Sequence, residues 1–70
     1  MQDALSIRRA TDELIAQART MEPLKAAREL RERARRAHRA MYRCKGDAFA
    51  LAEARERLDA EADRLLATLH

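Results

Sequence analysis

The chain has 70 residues and is poor in everything that staples or bends a small fold. It holds one cysteine (Cys44), one glycine (Gly46), one proline (Pro23), one phenylalanine, one tyrosine and no tryptophan. A single cysteine excludes an internal disulfide. With His38 and His70 the only histidines, no ligand set has the spacing of a zinc site, and no metal or other cofactor is expected. No apolar run approaches the ~20 residues that span a bilayer, so no membrane partner is expected. The opening Met1-Gln2-Asp3-Ala4-Leu5 lacks the basic and then apolar order of a secretory signal. An unpaired thiol suits a reducing compartment, and a cytoplasmic protein is expected. Without a glycine-rich phosphate loop there is also no sign of a nucleotide or other small-molecule substrate.

Shortness has its own consequence. A chain of this length buries only ~60% of the surface it exposes when unfolded, and its core is marginal. Disulfides, structural metals and oligomerisation are the usual remedies. With the first two excluded, the sequence predicts a homodimer.

What the chain does have is alanine, leucine, arginine and glutamate, the composition of helical bundles. Two breakers divide it. Pro23 suits the first turn of a helix and interrupts any helix running through it. Gly46-Asp47 reads as a stop followed by a cap. The pattern predicts a single domain with helices over about 3–20, 23–45 and 47–69. Ile7, Ala10, Leu14, Ala18 and Met21 form the first apolar stripe. Leu24, Ala27, Leu30, Ala34, Ala37, Met41 and Cys44 form the second. Ala48, Leu51, Leu58, Ala62, Leu65 and Leu69 form the third, flanked by Phe49 and Leu66. Each follows the helical period, and none alternates as a strand would.

The fold class is therefore all-α: a hairpin of the second and third helices, with an additional or continuous N-terminal helix, dimerising into a helical bundle. Continuity would mean that Pro23 kinks one long helix. A one-position slip between Ile7–Leu14–Met21 and the stripe restarting at Ala27 favours a break or a kink there. The small Ala34 and Ala37, with Leu30 and Met41, offer a surface into which Leu51, Leu58 and Leu65, seven apart, fit as knobs. These seven residues are the expected core and dimer contacts. Arg55 falls on the third stripe as its polar intruder, where it would snorkel to solvent or fix register across a dimer.

Charge is concentrated. Residues 25–45 hold nine basic residues against Glu29 and Glu32, a net +7, in a chain whose total is +3. Arg28, Arg31, Arg35, Arg36, Arg39 and Arg43, with His38 and Tyr42 at their edge, are the candidate partner-binding residues. Three readings stay open. The arginines form a solvated face, partly paired with Glu53, Glu56, Asp59 and Asp63; or they dock a protein with an acidic or mixed surface; or they follow nucleic-acid phosphates. The absence of interleaved aromatics and the acidic third helix count against the last.

Catalysis is not expected. His38 and Cys44, six apart on one helix, lie about 240° apart around its axis and do not face each other, as a nucleophile and its base must. Cys44 continues an apolar stripe instead. Asp59 and Asp63 read as solvent-facing carboxylates.

Two resemblances attach to these features. The stretch from Arg28-Glu29-Leu30 to Arg43-Cys44-Lys45-Gly46-Asp47 resembles the helical hairpin of the translin family, in which a basic helix ends in a Gly-Asp turn. In size, compactness and arginine-rich helical character, the whole chain is similar to small phage-encoded host-takeover proteins, some of them helical dimers that silence transcription regulators, quorum-sensing anti-activators included. That likeness implies a regulator or inhibitor that binds another protein, with a DNA-binding transcription regulator as a candidate target. A nucleic-acid-binding helical dimer is the alternative, and a structural assembly subunit a third.

Overall fold

The computed structural model of the chain describes residues 3–43 and 45–69, so the expectation for Cys44 lies outside the described residues. Three helices pack together: α1 (Ala4–Ala18), α2 (Pro23–Tyr42) and α3 (Ala48–Ala67). Each begins on a side-chain cap. Asp3 accepts from the Ser6 amide at 2.8 Å, and Asp47 accepts from the Ala50 amide at 2.9 Å. Glu22 reaches forward to the Leu24 and Lys25 amides at 3.1 Å each.

Pro23 stands at the first position of α2. It breaks the chain rather than kinking one long helix, and its missing amide costs nothing there because first-turn amides have no partner within the helix. The helices are shorter than their apolar patterns. α2 ends at Tyr42 instead of running to 45, and its last turn closes when the Lys45 amide donates to the Ala40 carbonyl at 3.0 Å.

α2 and α3 form the antiparallel hairpin and share most of the tertiary contacts. α1 runs parallel to α3, as three ion pairs in register show: Arg8 with Glu53 at 3.2 Å, Asp12 with Arg57 at 2.5 Å, and Arg19 with Glu61 at 3.5 Å. The apolar stripes thus meet within one chain. One cluster joins Leu30, Ala34, Leu58 and Leu65 with Ala18, Ala26, Ala27 and Ala62. A second, nearer the α2–α3 turn, joins Leu51 with Ile7, Ala50 and Ala54 and leaves Ala37 and Met41 half-buried against it.

Because α3 packs on both other helices, its buried face is wider than a heptad stripe. Ala50, Ala54 and Glu61 are inside, while Ala48, Phe49 and Leu69 are exposed; Phe49 is 91% exposed. Arg55 is exposed, and the polar residue that does lie in the buried face is Glu61, 7% exposed. In α1, Thr11 is buried in place of the exposed Ala10, and its hydroxyl donates to the Ile7 carbonyl at 2.8 Å. Leu24, at the start of the second stripe, is 41% exposed. Among the described residues, no helix is long and apolar enough to cross a membrane.

Candidate functional site

Steps of three and four place Arg28, Arg31, Arg35 and Arg39 along one flank of α2, over eleven helical steps or about 16 Å. α3 lies beside that flank, and the two helices enclose a groove lined by no α1 residue. The groove has two adjoining depressions. The first, of about 380 Å³, has Ala34 at its base, His38 and Asp59 at its sides, and Arg35, Arg39 and Arg55 at its rim. The second, of about 270 Å³, lies between Leu24 and Ala27 of α2 and Leu66 of α3, with Arg28 above. Arg31 and Arg35 line both.

Arg31 makes the boundary between them. Its guanidinium reaches across to α3, donating to Asp59 at 3.2 Å and to Asp63. Asp59 and Asp63 are therefore partners of α2 as well as solvent-facing groups. Arg55 approaches Asp59 at 4.0 Å. On the outer side of α2, one carboxylate serves three cations: Glu32 lies 3.0 Å from Arg35, 3.6 Å from Arg36 and 3.7 Å from Arg39. The hydrogen bond from Arg35 holds the Glu32 carboxyl below its ordinary range against some desolvation, and the charges of Arg35, Arg36 and Arg39 add to it. Around the groove, five guanidiniums (28, 31, 35, 39 and 55) meet three carboxylates (32, 59 and 63), which leaves an excess of positive charge. Among the described residues, Lys25, Arg28, Arg33, Arg43 and Lys45 take part in no ion pair.

His38 is half-buried. Its Nδ1 is enclosed and makes no hydrogen bond among the described residues, while its ring meets Tyr42 edge-on at 4.9 Å and 74°. Tyr42 is 76% exposed and stands beside the groove without lining it. Arg36 leaves the set. With Arg33 it edges a separate cleft of about 240 Å³ between α1 and α2, floored by Leu51, Ala54 and Leu58. Arg43 is the exposed C-cap of α2.

Comparison with protein-family models, curated proteins and solved structures finds no match.

The structure adds Leu24, Arg55, Asp59, Asp63 and Leu66 to the sequence-derived set. A signal for the α3 members was present: Arg55, Asp59 and Asp63 recur every four residues and form one column on that helix. An open groove with an apolar base and guanidinium rims can take an apolar side chain below while pairing carboxylates or phosphates above.

Proposed function

We propose that the chain is a non-enzymatic helical interaction module that binds and regulates or inhibits another protein, in the manner of the small host-takeover proteins it resembles. A DNA-binding transcription regulator is one candidate target. The supporting observation is the convergence of Arg28, Arg31, Arg35, Arg39 and Arg55 on one groove with an apolar base. Arginine over apolar surface is the chemistry of protein interfaces and of their energetic centres. The test is affinity capture from the native host with the wild-type chain and with Arg35→Glu/Arg39→Glu. Both side chains are more than half exposed, so the variant should keep its circular-dichroism spectrum. A discrete protein held by the wild type and lost from the variant is the expected result. Identical captured sets would reduce the basic face to a solvated surface.

A nucleic-acid backbone is the second reading, favoured by the cations of α2 that take part in no ion pair. Lys25 and Arg28 of α2 and Arg43 at its C-cap span about 27 Å along the helix axis. Phosphate contact predicts a gel shift that weakens steeply as salt rises, and no shift at low salt removes this reading.

Self-association completes the proposal. The chain exposes 4974 Å², whereas a compact monomer of this mass exposes about 4,450 Å². The α1–α2 cleft contributes apolar surface to that excess. Light scattering on a sizing column should give about twice the 8.0 kDa chain mass; a stable monomer at high concentration would remove the dimer.

A further inference from the structure

Building on the groove as a protein-docking surface, we infer that its occupant is a single acidic amphipathic helix with apolar residues at positions i and i+7, laid along α2 and α3 on the side away from α1.

Three observations define that occupant. The first is spacing. The two depressions centre near residues 29 and 35 of α2, about 10 Å apart along its axis. Two turns of a partner helix cover about 10.8 Å, so its apolar side chains at i and i+7 enter one depression each. The Arg31 bridge to Asp59 and Asp63 stands between them and leaves no continuous trough for an extended strand. The second is lining. Both depressions are mostly apolar, built from Leu24, Ala27, Ala34, Leu66 and the arginine stems. Such a base rewards hydrocarbon and gives nothing to a phosphodiester.

Charge is the third. Arg28, Arg35, Arg39 and Arg55 flank the depressions and suit carboxylates beside the two apolar positions. Asp59 lines the first depression and shares Arg31 with Asp63, so a phosphate backbone, charged at every step, meets these carboxylates where a helix can present an uncharged residue. Docking there would add a fourth helix to the bundle, on the face opposite α1.

The experiment is fluorescence anisotropy with a labelled 16-residue helical peptide carrying leucine at i and i+7 among glutamates and alanines. A second peptide of identical composition carries its leucines at i and i+5, on different faces, and a 20-base-pair DNA duplex is the third probe. Tight binding of the i, i+7 peptide is expected, at least tenfold weaker for the i, i+5 peptide and for the duplex at moderate salt. Arg35→Glu/Arg39→Glu should lose at least tenfold toward the i, i+7 peptide. Leu24→Asp, which places an acid favourably in the first turn of α2, should lose several-fold while remaining folded. Equal binding of the two peptides, or a duplex that binds more tightly than either, overturns the proposal. If neither peptide binds while the arginine reversal still removes a captured protein, the docking function stands and this occupant is wrong. If the reversal also changes nothing in capture, the docking function fails as well.

Discussion

Glu61 should be dispensable, provided that what replaces it is apolar and of similar size. Its side chain is 8% exposed, with Arg64 donating from Nε at 3.2 Å to both carboxylate oxygens and Arg19 of α1 at 3.5 Å, yet those arginines are 52% and 62% exposed. Removing the carboxylate strands no buried charge, because both guanidiniums can turn to water. Glu61→Ala should therefore lose about 1–2 kcal/mol, the lower part of the range for a hydrogen bond to a charged group. For a domain of this size that is a fall of about 5–15 °C in Tm. Glu61→Leu restores the volume without the desolvation, and its Tm should equal or exceed that of the wild type. Acid separates the variants further. The Arg64 hydrogen bond, aided by Arg19, holds the Glu61 carboxyl below its ordinary range despite burial. A folded-state value below the unfolded one means that this contribution is complete above the unfolded glutamate value, near ~4.3, and disappears as pH falls through the lower folded value. Thermal melts followed by circular dichroism from about pH 7 to 3 should show the wild type losing stability more steeply than Glu61→Leu. If Glu61→Leu melts as low as Glu61→Ala at neutral pH, the ion pair stabilises the fold and the reasoning is wrong.

Leu30→Ala should be the severest single truncation. Leu30 is 1% exposed at the centre of the larger cluster, and a loss of about 3 kcal/mol is a large part of the ~4–10 kcal/mol a chain this long can have; urea melts will measure it. Asp47→Ala removes the α3 cap and should cost about 1 kcal/mol, seen as a lower urea midpoint with unchanged slope. Phe49→Ser should alter stability by less than about 0.5 kcal/mol, since Phe49 stands almost wholly in water; a larger loss would place that ring in a contact between copies.

The helices were legible because their signals are local. Aspartate caps, a proline at a first turn and apolar spacing at the helical period operate within a few residues. Pro23 by itself is compatible with a kink or a break, and the break is made by the Glu22 side chain closing the start of α2, a cap that sequence preferences rank low. The interior of α3 was less legible. A heptad reading serves a helix with one neighbour, and it selected Ala48 and Leu69 and put Arg55 on the stripe. With α1 and α2 on two sides, the buried arc widens to take in Ala50, Ala54 and Glu61. The candidate site was legible on α2 alone. Its arginines follow the flank that the spacing implies, but Asp59, Asp63 and Leu66 enter only once the hairpin is closed. Arg36 and Arg43 fell away because their angular positions carry them toward α1 and the helix end, which a count of basic residues does not distinguish.

α1 is attached unevenly: it rests on α3 through Ile7, Ala18 and the ion pairs of Arg8, Asp12 and Arg19, and leaves a cleft against α2. That asymmetry gives the molecule an order of assembly. The α2–α3 hairpin closes over a short turn and contains most of the contacts, so its formation pays little loop entropy. α1 should then dock onto a platform already built and be the first element to leave when the fold opens locally. Amide exchange should accordingly run faster through residues 5–16 than through the middle of α3, and a protease should find the N-terminal helix before it finds the hairpin.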